Sequence, residues 1–348
     1  MRGAILMTKY RGFIGTYTKK SSKGVYEIEL DTEKENLTVK GVAAESKSPT
    51  YVNMDAEQEY LYTVAPGGIA SYRIGDSLSA IAHVNERDGS PCHVSVSPDG
   101  EFAASATYLD GTIALFKRDK ETGKVTEQLS LIQHEGGGPH ERQDAAHAHF
   151  SGFTPDGKYL VTVDLGTDEI ISYTYQSGEL KQAGVFNAEP GAGPRHLTFH
   201  PDKPLAYVMT ELSNEVLVLA YDSSTGAFRQ LQAIPAIPGD FTENSQGSAI
   251  HMSSDGRFVY AGNRGHNSIA VYSAEDNGEL THIEYAETEG NWPRDFVLDP
   301  SEAYIVAANQ ESDSLVLLKR DKESGRLTKT GVKVEVPEPV CVKFLSKS

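Results

Sequence analysis

The chain of 348 residues has little of several things, and each shortage excludes a class of protein. It has two cysteines, Cys92 and Cys341, too few for a disulfide framework, so a reducing cytoplasm is the expected compartment. Positive charge is scarce: 32 Lys and Arg stand against 49 Asp and Glu, for a formal net charge of −17. Nucleic acid and anionic membranes both need a basic surface, so neither is expected as the main partner. No apolar run is long enough to span a bilayer. The opening "MRGAILMTKYRGF" has too short an apolar core for a secretory signal, and either Met1 or Met7 could serve as the natural start. Helical periodicity with caps is also missing throughout.

Turns and strand formers are plentiful. There are 32 glycines, 16 prolines, 17 tyrosines and 12 phenylalanines, and 39% of the chain is hydrophobic, enough for a core built from strands. One pattern recurs along the whole chain: "SPTYVNMDAEQEYLYTV" from Ser48, "SPCHVSVSPDGEFAASA" from Ser90, "HAHFSGFTPDGKYLVTV" from His147, "GPRHLTFHPDKPLAYVM" from Gly193, "QGSAIHMSSDGRFVYAG" from Gln246 and "WPRDFVLDPSEAYIVAA" from Trp292. A seventh copy, "EPVCVKFL" from Glu338, stops early, and "YRGFIGTYT" at residues 10–18 supplies its missing second strand.

Taking Pro49, Pro91, Ala148, Pro194, Gly247, Pro293 and Pro339 as equivalent, successive steps are 42, 57, 46, 53, 46 and 46 residues. That is the spacing of four-stranded propeller blades. Within a unit, an alternating strand leads to a "PDG"-like turn and a more continuously apolar strand. A third strand follows, and then a "DxxTG" or "DxxSG" hairpin to a weaker fourth. The expected fold is therefore all-β: a single seven-bladed β-propeller over residues 8–346, with four-stranded blades and one blade closed by strands from both chain ends. A solenoid would not need its last unit completed by the chain's beginning.

Chain direction in a propeller sorts the loops onto two faces. The starts of first strands, the second-to-third turns and the inter-blade connections share one face, the top. At the position of Arg195 the seven units carry Thr50, Cys92, His149, Arg195, Ser248, Arg294 and Val340. The second-to-third turns carry Asp164, Glu211, Arg264 and the pair Asn309 and Gln310. Both sets are expected to converge on the top of the central channel. Two long connections, residues 134–149 and 235–249, emerge on the same face, where long loops commonly wall a site. His196, Asp295 and His93 follow the ring by one residue, so the two-residue period puts them on the opposite strand face.

At this point the motifs "FIGTYT", "HAH", "DLGTD", "GPRHLTFHP", "TELSNEV", "NRGHNSIAVY", "WPRDF", "ANQESDS" and "PVCV" together resemble the seven-bladed propeller lactonase family, which includes propeller-type 6-phosphogluconolactonases and carboxy-muconate cyclases. The resemblance runs from Phe13 to Phe344. It implies metal-free, cofactor-free opening or closing of a lactone on an anionic sugar or diacid. It carries a catalytic set of one histidine, two arginines and a glutamate onto the "HAH" histidines, Arg195, Glu211 and Arg264. Alignment with Arg195 favours His149 over His147 as the histidine.

The chemistry fits these residue types. A histidine titrates near neutral pH and can take a proton from water. Guanidinium forks hold a phosphate or carboxylate, or face an oxyanion. Glu211 can serve as base or orient an arginine. His147, Arg294, Asp164, Asn309 and Gln310 are expected to contact substrate. His134, Glu135, His140 and Asp144 lie near the "HAH" histidines, but their spacing fits no strong zinc signature. The expectation is a cytoplasmic hydrolase of a small anionic sugar lactone, foremost 6-phosphogluconolactone in the pentose phosphate pathway. The alternatives are a carboxy-muconate-type cyclase or a non-catalytic propeller binding anionic metabolites or proteins. A homo-oligomer is compatible with these features.

Overall fold

The computed structural model describes residues 8–85 and 89–346; Met1 and Met7, the two candidate starts, lie outside them. The described residues form 28 strands and no helix, so none is long and apolar enough to cross a membrane. The strands make seven four-stranded antiparallel sheets. Blade I (β4–β7) runs over residues 52–85, blade II (β8–β11) over 93–133, blade III (β12–β15) over 148–187, blade IV (β16–β19) over 194–235, blade V (β20–β23) over 246–287 and blade VI (β24–β27) over 293–335. Blade VII has the order β28-β1-β2-β3, with β2 at Gly24–Asp31 and β3 at Asn36–Glu45. There β28 (Pro339–Phe344) pairs with β1 (Lys9–Thr16), Ile14 opposite Val342, so the two ends of the chain close the ring as the repeat requires.

Each blade is covered on both faces by its neighbours, and the burial patterns follow. The second strands β5 (Tyr60–Ala65), β9 (Phe102–Thr107), β17 (Leu205–Thr210) and β25 (Tyr304–Asn309) are buried at every position, which accounts for their continuous apolar sequence. The outer strands β11 (Val125–Gln133) and β27 (Leu327–Glu335) mostly alternate between solvent and sheet. Apolar side chains gather into seven clusters, each spanning two adjacent blades. In one, Ile14, Leu30 and Val342 of blade VII meet Tyr304, Val306 and Leu317 of blade VI. In another, Phe13, Val25 and Cys341 of blade VII meet Val52, Leu61 and Tyr72 of blade I. Seven blades with seven apolar seams leave no open sheet face.

The bottom face is stapled by its turns. Tyr62 of blade I donates its hydroxyl to Gly123 O at 2.8 Å, in the "DKETG" hairpin of blade II. Tyr260 does the same to Gly325 O at 2.9 Å in the "DKESG" hairpin of blade VI. Gly123 sits at φ 68°, and a Cβ there would come within 2.3 Å of the Tyr60 ring, so both the turn and the blade contact need glycine.

Candidate active site

Within the first strands, one irregularity aims the ring residues. In β16 (Pro194–Phe199) Pro194 faces Thr210 and His196 faces Met209, which leaves Arg195 as an extra, bulged residue. The same shift occurs around His149 in β12 (Ala148–Phe153), around Ser248 and Ala249 in β20 (Gln246–Met252), and around Arg294 in β24 (Pro293–Leu298). Bulges bend a strand and redirect its side chains. Here they break the inner–outer alternation just where each strand reaches the channel mouth. His196 and Asp295 therefore border the channel along with Arg195 and Arg294. This corrects the expectation, based on unbroken two-residue alternation, that they lie on the other strand face. His93 packs in the same layer, its ring 4.2 Å from Tyr51 and 5.5 Å from His196.

The top of the channel opens into a cavity of about 520 Å³, within the range of small-molecule sites. His149, Glu211, Arg264 and Arg294 line it, together with Cys92 and Thr50. Beneath it, a chamber of about 20 Å³ is bordered by His149, Arg195, His196, Arg294 and Asp295, room for about one water molecule.

Glu211 organises one wall. It follows β17 directly, its backbone N–H donating to Gly193 O at 2.7 Å. Its Oε2 lies 2.6 Å from Arg264 Nη2 and 3.0 Å from Arg195 Nε, and its Oε1 accepts from Arg142 Nη2. Burial alone would raise this carboxyl, but Arg264 and Arg195, with His149 and Arg142, hold it far below the usual carboxylate range. Burial in turn draws Arg264 down to about 9, which leaves it charged at neutral pH. Three guanidiniums thus share one carboxylate, and N–H groups remain unspent: Arg195 Nη1, Arg142 Nη1 and Arg264 Nε are buried without hydrogen-bond partners.

His149 stands beside this wall, buried, with Nδ1 unpartnered. Burial first, and Arg195 second, hold its imidazole well below the ordinary value of 6.5, so it is neutral at pH 7. Burial pushes the neighbouring Cys92 thiol up to about 11, which suits packing and not nucleophilic attack.

Arg142 lay outside the sequence argument. It belongs to the connection of residues 134–149, which has no counterpart in the other units, so no alignment of repeats could find it. The loop is pinned by the buried Gln143, whose Nε2 donates to Leu165 O at 2.9 Å and to Asp168 Oδ1 at 2.7 Å. The adjacent Arg142 is thereby directed over Glu211. The other long connection contributes Gln246 to the cavity.

Four of the residues expected to contact substrate are engaged elsewhere. Asp164 is fully buried; its Oδ1 accepts the N–H groups of His147, Gly166 and Thr167, and its Oδ2 lies 2.8 Å from His134 Nδ1. It holds its own turn together. His147 stacks on Tyr108 at 4.4 Å and is fixed by Asp144 and Tyr108 O. Asn309 is buried against Thr288 O, and Gln310 turns to Glu311. None of these four borders the cavity. Among the described residues no group of three or more His, Cys, Asp or Glu side chains is placed to hold a metal ion.

A seven-bladed propeller carrying an imidazole and a carboxylate-bridged arginine cluster at its channel mouth defines a class. Residues 11–344 match the family described as Lactonase, 7-bladed beta-propeller, and the chain belongs to that family. It is an enzyme of the lactone-hydrolase type. The chain is 50% identical over 347 residues to the 6-phosphogluconolactonase of Bacillus subtilis, covering 97% of this chain and 99% of that protein. Among solved structures it resembles a Lactobacillus plantarum protein, with a TM-score of 0.93 and 40% identity over 97% of this chain and 99% of that one. It also resembles the periplasmic gluconolactonase of Pseudomonas aeruginosa, with a TM-score of 0.91 and 31% identity over the same shares.

Proposed function

We propose that the protein hydrolyses 6-phosphogluconolactone to 6-phosphogluconate, without a metal or other cofactor. The reading is carried by one observation: a neutral imidazole with an unpartnered Nδ1 shares one cavity with Arg142 and Arg264 and the chamber beneath it with Arg195, and all three guanidiniums keep unspent N–H groups. The half-identity to a relative named for this reaction favours the phosphorylated lactone.

His149 takes a proton from a water molecule as its oxygen attacks the lactone carbonyl. The water-sized chamber beneath His149 is a place from which that water can come. Charge then develops on the former carbonyl oxygen. Donors fixed before the reaction stabilise it without reorganising, and Arg195, Arg264 and Arg142 are such donors because Glu211 holds them in place. The tetrahedral intermediate collapses with cleavage of the bond from the carbonyl carbon to the ring oxygen. The imidazolium of His149 returns its proton to that oxygen, and the carboxylic acid formed releases its own proton to solvent, leaving a carboxylate. Glu211 is too strongly stabilised as a carboxylate to serve as the base; its role is to orient the arginines. The guanidiniums supply the positive charge a cation would bring.

A pH-stat assay on a panel of sugar lactones, with and without the 6-phosphate and in the presence of EDTA, tests this. Turnover highest on the phosphorylated δ-lactone and unaffected by EDTA is expected. Absence of turnover on every sugar lactone, or activity lost to EDTA and restored by one divalent ion, would overturn it.

A further inference from the structure

The cavity has a second cationic wall that the hydrolytic chemistry does not use. Glu211 and its arginines come from blade IV, blade V and the loop ahead of blade III. Across a seven-membered ring from blade IV lie blades VII and I. That side of the cavity is lined by Lys19, Tyr17 and Thr50, with Arg294 next to them at the start of blade VI.

Arg294 and Lys19 rest against the same aromatic ring: the Arg294 guanidinium carbon is 5.5 Å from the Tyr17 centroid and the Lys19 ammonium 4.1 Å. Among the described residues neither cation has a carboxylate partner. The contrast with their neighbours is sharp, since Arg195, Arg264 and Arg142 share Glu211 and Lys20 faces Asp313 at 3.7 Å. The acid that does reach this corner, Glu338, is buried and turned to the chain itself. Its Oε2 accepts the backbone N–H groups of Lys19 at 2.9 Å and Lys20 at 2.7 Å, which fixes the loop that carries Lys19.

Both cations stand against one ring with no carboxylate beside them, in a protein of net charge −17. We propose that Arg294 and Lys19 form a subsite for a phosphate monoester dianion, which holds the phosphate of the lactone substrate on the blade VI–VII side of the cavity while the arginines held by Glu211 face the reacting carbonyl. The inference rests on the reading of the substrate as a phosphorylated sugar lactone. Charge matching supports it, because a phosphate monoester carries close to two negative charges at neutral pH. So does geometry of donors: a guanidinium fork binds phosphate through two parallel bonds, and an ammonium adds a point charge. The Thr50 hydroxyl lies on the same wall and can donate to a third oxygen.

The test compares kcat/KM on 6-phosphoglucono-δ-lactone and on glucono-δ-lactone for the wild type, Arg294→Ala, Arg294→Lys and Lys19→Ala. The ratio between the two lactones should fall about ten- to a hundredfold in Arg294→Ala, through KM for the phosphorylated substrate, as loss of a charged hydrogen bond implies. Arg294→Lys should recover part of the ratio, and Lys19→Ala should lower it several-fold. Inorganic phosphate should compete with the phosphorylated substrate, and Arg294→Ala should weaken that competition to the same degree. An unchanged ratio in Arg294→Ala, or equal losses on both lactones, overturns the subsite. A wild type that hydrolyses neither lactone defeats the substrate reading instead. Binding of inorganic phosphate, measured by calorimetry, then decides the subsite: lost in Arg294→Ala it stands, unaltered it falls.

Discussion

Arg142 and Glu211, 69 residues apart in the chain, meet through Nη2 and Oε1 at 2.5 Å and bring an irregular loop of one blade junction onto the turn of another blade. The contact completes a set of three guanidiniums around a carboxylate that is 2% exposed. The three arginines differ in burial, and so in what their loss should do.

Replacing Glu211 by Gln leaves Arg195 and Arg264 as buried cations without a counter-charge. Breaking a buried ion pair from one side costs about 3–5 kcal/mol, so urea unfolding should show a loss of that order together with a fall in kcat/KM. The Arg142 side chain is about a third exposed, at 32%, so Arg142→Ala should cost no more than about 1 kcal/mol of stability. It should still lower kcat/KM about tenfold, because a donor leaves the cavity. Equal stability of Glu211→Gln and wild type would contradict the arrangement.

His149→Gln removes the proposed base and should lower kcat by roughly 10²–10⁴-fold with a smaller effect on KM. In the wild type, burial and Arg195 hold the imidazole neutral below pH 6.5. The acid limb of the pH profile of kcat/KM should therefore fall below pH 6.5, and a limb centred above 7 would argue for another base.

His196 touches the site through the bulge at Arg195. Its ring lies 5.1 Å from that of His149, and its Nε2 is buried without a partner beside the water-sized chamber. It is a positioning residue in this reading. His196→Phe preserves the packing against Tyr51 and Phe150 but removes the polar edge, and should lower kcat about tenfold while KM moves less than about threefold. Unchanged kcat in a folded His196→Phe protein would show that the chamber plays no part in turnover.

Acid should destabilise the protein in a defined window. His93, His149 and His196 are all held well below 6.5, chiefly by burial. Below pH 6.5 the unfolded chain takes up protons at these residues and the folded chain does not, so stability is full above 6.5 and declines as pH falls through it. At about 1.4 kcal/mol per group per pH unit, the three together should remove roughly 4 kcal/mol between pH 7.5 and 5.5. Urea midpoints at the two values check this, and His196→Phe should shrink the difference by about a third. Identical midpoints would mean that these rings are hydrated in the folded protein.

Two features of the site illustrate where reading the chain as a repeat succeeds and fails. Arg195, His149 and Arg294 are legible in the sequence because each occupies the same step of a unit repeated seven times, and equivalent positions in a closed ring must meet at the axis. Asp164 and Asn309 share that apparent placement because they stand in equivalent polar turns. Yet Asp164 spends its oxygens on the N–H groups of its own turn and on His134, the local use to which aspartate in turns is well suited. Position within a repeat assigns a loop to a face of the molecule. It does not say whether a short polar side chain will turn to the cavity or back to its own backbone.

The sequence by itself determined the number of blades, the closure of the last blade by both chain ends, and the convergence of His149, Glu211, Arg264 and Arg294 on one face of the ring. These follow from periodicity, which depends only on spacing along the chain. Only the tertiary structure decided that Arg142 joins the cluster, that His196 reaches the channel and that Arg294 and Lys19 stand together without a carboxylate. Each of these depends on a departure from the repeat: an unrepeated loop pinned by Gln143, a bulge that breaks strand alternation, and a loop from the chain's beginning folded against its last strands. Such departures are set by long-range contacts, and the local pattern carries no record of them.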